Sequence, residues 1–368
     1  MASVFVIAEA GVNHNGNLHL AQELVKAAAE AGADAIKFQT FAAQRLVNRT
    51  AAKADYQVGN SMGETQFEML QHLELSVKGH YVLSDLADKV GIEFMSTPFD
   101  LESLSFLVTQ IGVKRIKISS GDLTNLPLLQ AAGQTGLPVI LSTGMSTMDE
   151  VSLGLGALAH GRSVNACDRI SPPSPEAFEE IMSGTDYSAF LQDITLLQCT
   201  SEYPAPDYAI NLLAMQTLAD KYLLPVGLSD HSLGSHISIA AAALGASVVE
   251  KHVTLDTRAE GPDHRASLDI KALAELIESI RSVEKALGTG SKSPSPQELK
   301  TARLVRRGLY ATRDLVPGDV ITESDIAIIR PENTVPPSLY WEIIGATVVQ
   351  PITRGADLDL RSYEKRRV

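Results

Sequence analysis

The chain is poor in cysteine, with 2 in 368 residues, Cys167 and Cys199. Two thiols exclude a disulfide framework and predict inert side chains in a cytoplasmic setting. Aromatic residues make up only 5%, with one Trp, so Ala, Val, Ile and Leu must fill the core. Basic charge is outnumbered, 31 Lys and Arg against 44 Asp and Glu, a net −13. Such a surface excludes a general nucleic-acid or anionic-membrane binder. It does not exclude a small anionic substrate, because a few buried lysines set a local field. Long apolar runs are also missing. Ile237 to Val249 spans 13 residues and contains Ser238, Gly245 and Ser247, whereas crossing a bilayer takes ~20. The first apolar run has no basic segment before it, so no secretory signal is expected. The balance of 45% apolar and 20% charged residues is that of a folded globular chain.

What is present is a repeat. A short apolar run ends in a polar cluster, and a helical pattern follows. The runs are Val4–Ala8, Ala35–Ile36, Ile92–Met95, Arg115–Ile118, Val139–Leu141, Ile194–Leu197, Pro225–Leu228 and Ser247–Val249. Between them lie patterns such as Leu18, Ala21, Leu24, Val25 and Ala28, apolar at helical spacing. Gly32, Gly91 and Gly112 stand where such helices would stop. Eight β-then-α units predict an α/β fold, a (β/α)₈ TIM barrel, over residues 1–287, with a doubly wound open sheet as the competitor. The stretch from Gly161 to Asp193, with Ser171-Pro172-Pro173-Ser174-Pro175, reads as an insertion, mostly surface loop, in which Glu176–Met182 could form a short helix. Residues 288–300 are rich in Gly, Ser and Pro and read as a linker. Residues 301–368 read as a small β-rich domain, with strand-like runs at Leu309–Thr312, Val320–Thr322 and Ala327–Arg330.

In such a barrel the residues that follow the strands converge on one mouth. Glu9, Lys37, Gln39, Thr97, Lys117, Ser120, Ser142, Tyr203, Ser229, His231 and His252 belong to that set. His231 and His252, just past neighbouring strands, are a candidate metal pair with open positions for substrate. The plain alternative is two hydrogen-bonded loop histidines. Lys37 and Lys117 interrupt apolar strands, which is costly unless they are paired. They suit phosphate or carboxylate recognition, Schiff-base chemistry at one of them, or salt bridges to Glu9 or Glu250. Ser120-Gly121 and Ser142-Thr143-Gly144 offer hydroxyls and open backbone N–H groups to phosphate oxygens. Glu9, at a dry strand end, is an acid/base candidate or a lysine's partner. His14 lies in a turn, and His236 reads as structural.

These residues sit in longer motifs. Ile7-Ala8-Glu9-Ala10-Gly11-Val12-Asn13-His14-Asn15-Gly16, Ile36-Lys37-Phe38-Gln39-Thr40, Lys117-Ile118-Ser119-Ser120-Gly121, Gly227-Leu228-Ser229-Asp230-His231 and Glu250-Lys251-His252-Val253-Thr254 resemble the sialic acid synthases in order along the whole barrel. The tail from Arg303 resembles that family's C-terminal antifreeze-like (SAF) domain. The resemblance implies a metal-dependent transferase that condenses phosphoenolpyruvate with an N-acetylated amino sugar. The sugar would be N-acetylmannosamine or a 2,4-diacetamido-trideoxyhexose, giving an N-acetylneuraminate-type or legionaminate-type product. It implies His231 and His252 as ligands of Mn²⁺, Mg²⁺ or a similar ion, and catalytic Glu9, Lys37 and Lys117. Lys37, Thr97, Lys117, Ser120, Gly121, Ser142 and Ser229 would hold phosphoenolpyruvate. Gln39, Tyr203, Asp263 and Arg330 would bind the sugar, Arg330 reaching across a domain-swapped homodimer. Departures are Asp122, where many members have Glu, Glu332-Asn333-Thr334 after Arg330-Pro331, Ser201 before Glu202-Tyr203, and the long insertion. Other readings remain open: a Schiff-base aldolase using Lys117, and a non-catalytic carbohydrate- or ice-binding protein built on the tail. The phrase Ala54-Asp55-Tyr56-Gln57 resembles the bacterial branch.

Overall fold

The computed structural model describes residues 3–53, 63–164, 171–184, 187–359 and 361–364; Cys167 and Ala54 to Gln57 lie outside them. Two units divide the chain, Met1–Gly288 and Thr289–Val368.

The first unit is a parallel barrel. Its strands are β1 (Phe5–Gly11), β2 (Ala35–Thr40), β3 (Glu93–Pro98), β4 (Ile116–Ile118), β5 (Val139–Ser142), β6 (Ile194–Cys199), β7 (Val226–Asp230) and β8 (Val248–Thr254). The hydrogen-bonded order is β3-β2-β1-β8-β7-β6-β5-β4, and the two end strands lie side by side. A helix follows each strand: α1 (Leu18–Glu30), α2 (Val77–Val90), α3 (Leu101–Phe106), α4 (Leu126–Gln134), α5 (Met148–Ser163), α6 (Ala214–Tyr222), α7 (His236–Ala243) and α8 (Ile270–Leu287). The local reasons are readable. The Asn17 side chain accepts from His19 N and Leu20 N at the start of α1, which buries Ala21, Leu24, Val25 and Ala28 on one face. Helix α2 stops at Gly91, which takes φ +80°. Among the described residues, no helix is long and apolar enough to cross a membrane.

The stretch between α5 and β6 is more helical than its proline content suggests. Pro175–Ser183 form a helix capped by the Ser174 side chain, with proline in the first turn, and Tyr187–Phe190 form a short one. The first packs on α5. Phe178 is buried, its carbonyl sits where a Cβ of Gly156 would stand, and its ring lies 5.2 Å from that of His160. The short helix thought possible at Glu176–Met182 therefore forms, one residue longer at each end, and its amphipathic face finds an apolar seat.

The second unit has its own core, including Leu309, Leu315, Ile321, Val335, Ile343, Ile352 and Leu358. Strand β9 (Gly308–Ala311) pairs antiparallel with β10 (Ile326–Ile329). Two expectations change. Val320–Thr322 makes a single bridge, Val320 to Thr347, because Thr322 caps the turn Glu323–Asp325 instead of continuing a strand. The stretch read as linker up to residue 300 contains the start of a helix, Pro296–Val305, opened by a capping box between Ser295 and Glu298.

Candidate active site

Side chains alternate along a strand, so every second residue faces the barrel axis. Ile7, Ala35, Met95, Ile140, Leu197 and Val248 make a buried apolar floor. One step higher, a cavity of about 500 Å³ opens, and twelve of the expected residues line it: Glu9, Lys37, Gln39, Thr97, Lys117, Ser120, Gly121, Ser142, Tyr203, Ser229, His231 and His252. Asp263 is buried beside it, its Oδ2 3.9 Å from His252 Nδ1. Arg330 is exposed on the C-terminal unit.

The lysines are tightly held. Lys37 Nζ lies 2.7 Å from Glu9 Oε2 and 3.7 Å from Glu250 Oε2, and donates to Thr97 Oγ1 at 3.0 Å. Lys117 Nζ donates to Ser142 Oγ at 2.8 Å and to Ile118 O, and lies 3.5 Å from Glu250 Oε1. The Ser229 hydroxyl donates to Glu250 Oε1 at 3.0 Å. Strand register produces this: Glu9 stands between Lys37 on β2 and His252 on β8, and Ser229 is opposite Glu250.

Two buried carboxylates in one cavity have opposite fates. Burial pushes Glu9 up to about 7, against the pull of Lys37, and the charge of Glu250 adds to the rise. Glu250 would also rise by burial, but Lys117, Lys37 and Ser229 hold it down at about 2. Environments that push two carboxyls apart separate a proton-transferring group from a permanent anion. Burial lowers the Lys117 amine, opposed by Glu250, whereas for Lys37 the two carboxylates outweigh burial and raise it.

The histidine rings lie 5.4 Å apart, and Tyr203 stacks on His231 at 4.1 Å. His231 Nδ1 is 2.7 Å from Thr200 O. A carbonyl only accepts, so Nδ1 carries a proton, which leaves Nε2 as the ring's metal-binding nitrogen whenever the ring is neutral. Burial and the neighbouring His231 hold His252 well below its usual value, whereas His231 is raised, because Cys199, the Thr200 carbonyl and Glu250 outweigh its burial. His252 Nδ1 and Glu250 Oε2 are buried without a hydrogen bond. Among the described residues, no group of three or more His, Cys, Asp and Glu is placed to hold a metal. The pair therefore supplies two nitrogen donors, and these fit a divalent ion whose other positions go to substrate and water. Gly11 keeps this corner open: a Cβ there would stand 3.3 Å from Glu9 Oε1 and 3.5 Å from both Gln39 Nε2 and His252 Cε1.

The NeuB family profile matches residues 24–292 and the SAF domain profile residues 306–358. The chain belongs to the NeuB family. It is 47% identical over 355 residues to the N,N'-diacetyllegionaminic acid synthase of Legionella pneumophila, covering 96% of this chain and 93% of that one. It is 32% identical over 347 residues to the N-acetylneuraminate-9-phosphate synthase of Homo sapiens, covering 94% and 88%. Among solved structures, the N-acetylneuraminic acid synthetase of Leptospira borgpetersenii, in complex with citrate, matches with a TM-score of 0.66 at 33% identity, covering 82% of this chain and 90% of that one.

Within this NeuB-family barrel, several lining residues carry a weaker sequence signal. Glu250 reads from sequence as a lysine's rim partner, yet it sits at the centre of the polar layer between both lysines. Cys199, read as an inert thiol, is buried but lines the cavity, 3.8 Å from His231 Nδ1. Its place on the inward side of β6 is the signal that finds it. Asp122 does not line the cavity. It accepts from Ser119 Oγ and Asn125 Nδ2, bracing the turn that carries Ser120 and Gly121. His14 is a turn residue, its Nδ1 accepting from Gly16 N at 3.0 Å. His236 is exposed, so it braces nothing in the core.

Proposed function

We propose that this chain condenses phosphoenolpyruvate with an open-chain 2,4-diacetamido-trideoxyhexose and water, giving a nine-carbon 2-keto acid of the legionaminate type and phosphate. The observation that carries the reading is the single cavity in which two lysines, nine hydroxyl or amide side chains and a split carboxylate pair lie beside two histidines. The choice of a diacetamido sugar over N-acetylmannosamine rests on the similarity to the legionaminic acid synthases of Legionella pneumophila and Campylobacter jejuni, 47% and 43% identical.

Lys37 and Lys117, with Thr97, Ser120, Gly121, Ser142 and Ser229, hold the phosphate and carboxylate of phosphoenolpyruvate. Gln39, Tyr203 and Asp263 orient the sugar. A bond forms between the methylene carbon of phosphoenolpyruvate and the aldehyde carbon. The oxygen of water bonds to the former enol carbon, the bond from that carbon to the phosphate oxygen breaks, and phosphate leaves. Glu9 takes one proton from the water and passes it to the aldehyde oxygen, which becomes a hydroxyl, and the new hydroxyl on the former enol carbon gives its proton to the departing phosphate as the keto group forms. A Mn²⁺, Mg²⁺ or similar ion held by His231 and His252 would polarise the aldehyde as a Lewis acid. Such an ion would also add positive charge where Glu250, and Glu9 once it is ionised, offset Lys37 and Lys117. We extend the reading to a domain-swapped homodimer, in which exposed Arg330 meets the sugar's acetamido group in the partner's barrel. A monomer in sedimentation analysis would remove that extension.

The test is phosphate release from phosphoenolpyruvate with Mn²⁺ and each candidate sugar. The diacetamido sugar is expected to support the fastest release. Release with N-acetylmannosamine alone would overturn the sugar, and release with no N-acetylated hexosamine would overturn the reaction. A borohydride-trapped pyruvate adduct on Lys117 would favour the Schiff-base alternative.

A further inference from the structure

The outward faces of β7 and β8 hold a second ion pair that the reaction does not use. Glu250 and His252 face the cavity, so Lys251 between them faces the helical layer. Ser229 faces the cavity, so Asp230 faces outward as well. Both side chains are completely buried, with Lys251 Nζ 2.9 Å from Asp230 Oδ2. The polar atoms of the cluster are bonded throughout. Lys251 Nζ donates to Ser232 O at 2.5 Å. Asp230 Oδ1 accepts from Ser232 N at 2.9 Å and Ser232 Oγ at 2.6 Å. Asp230 Oδ2 accepts from Ser238 Oγ on α7 at 2.5 Å.

A buried pair of this kind adds little stability over apolar residues of the same volume. Its use lies in what it fixes. Asp230 and Ser232 flank His231, and Lys251 precedes His252. The cluster therefore ties the backbone on both sides of one histidine to the strand that carries the other. Two further bonds complete the hold on His231: its carbonyl accepts from Ala205 N at 2.9 Å, and its Nδ1 donates to Thr200 O. His252 has no comparable ring bond, because its Nδ1 is 3.9 Å from Asp263 and unpaired. Its placement depends more heavily on its own strand, and Lys251 is the residue that anchors that strand to the β7 loop.

We infer that Asp230 and Lys251 are positioning residues that set the spacing of His231 and His252, and with it the affinity of the pair for a divalent cation. The inference rests on the metal reading given above. To test it, Mn²⁺ is titrated into the metal-stripped full chain and the free ion is read by electron paramagnetic resonance. Phosphoenolpyruvate affinity is measured separately by calorimetry without metal. The variant is Asp230→Asn with Lys251→Met, which removes both charges together and strands neither. Loss of an outer support of this kind costs about 10–100-fold in metal affinity, so the dissociation constant for Mn²⁺ should rise by that factor while phosphoenolpyruvate binding stays as in the parent chain. Ser238→Ala, which removes one bond to Asp230 and leaves the ion pair, should weaken Mn²⁺ binding in the same direction by less. A folded double variant with unchanged Mn²⁺ affinity overturns the inference. If that variant does not fold, unchanged affinity in Ser238→Ala overturns it. A parent chain that binds no Mn²⁺ would overturn the metal reading and this inference together, and would be seen before any variant is made.

Discussion

Six barrel strands carry an inward apolar residue and, two positions later, an inward polar one. The pairs are Ile7 and Glu9, Ala35 and Lys37, Met95 and Thr97, Ile140 and Ser142, Leu197 and Cys199, and Val248 and Glu250. Two positions along a strand is about 6.6 Å. The lower layer and the upper layer are equally dry: Met95 is 0% exposed, Lys37 3% and Lys117 2%. Burial therefore does not distinguish packing from site. The difference lies in how burial is tolerated. The floor loses water at a gain, whereas the upper layer holds charges that would be costly singly and are retained because each meets a partner within 4 Å. A layer assembled from mutually dependent charges is one that a small anionic ligand can reorganise.

The largest test of this contrast is Glu9→Gln, which keeps the shape and removes the base. Turnover should fall about 10²–10⁴-fold. Stability should move the other way. The folded-state value of Glu9 is about 7, above its ordinary 4.5, so the folded chain favours the protonated form. As pH rises from 4.5 through 7, the parent chain loses stability through this group, and the Gln variant does not. At pH 8 the variant should melt at or above the parent temperature. Turnover near the parent's would move the base elsewhere. Next comes the floor. Met95→Ala should cost about 2–5 kcal/mol of unfolding free energy by leaving a cavity, while the folded fraction keeps its turnover within a few-fold. Denaturant unfolding and initial rates on the same sample measure both. Collapse of turnover at unchanged stability would erase the distinction between the layers.

The sequence reading reached the barrel because eight apolar runs ended in polar clusters at regular spacing, and a closed parallel sheet gathers such ends in one place. It reached Lys37 and Lys117 because an ammonium inside an apolar strand needs an explanation. It did not give Glu250 its central place. A carboxylate near two lysines reads as their partner, and only the register of β7 and β8, with Ser229 opposite Glu250, puts it beneath both. The helix Pro296–Val305 was legible and passed over: Ser295 to Glu298 is a capping box, but Gly and Pro around it pointed to a linker. The helix at Pro175–Ser183 gains its seat from Gly156 on α5, a contact across the fold that no local pattern announces. Arg330 is named by motif alone.

The finest test concerns the upper layer itself, where two glutamates share two lysines. Glu9 meets one lysine at close range, Lys37 at 2.7 Å. Glu250 meets two, and its Oε1 also accepts from Ser229. The burial penalty acts on both, so the number of partners decides which carboxyl keeps its proton. Carbon-13 NMR of glutamate side chains in the metal-free chain should therefore show one titration near pH 7, assigned to Glu9 by its loss in Glu9→Gln, and none from Glu250 above pH 4. Removing a partner should move the values in a defined order. Lys117→Met takes a charge from Glu250 and should raise its value clearly, while Glu9, which feels Lys117 only weakly, should shift less. If Lys117→Met shifts Glu9 more than Glu250, the two carboxyls share their proton as one unit and the division into base and fixed anion fails.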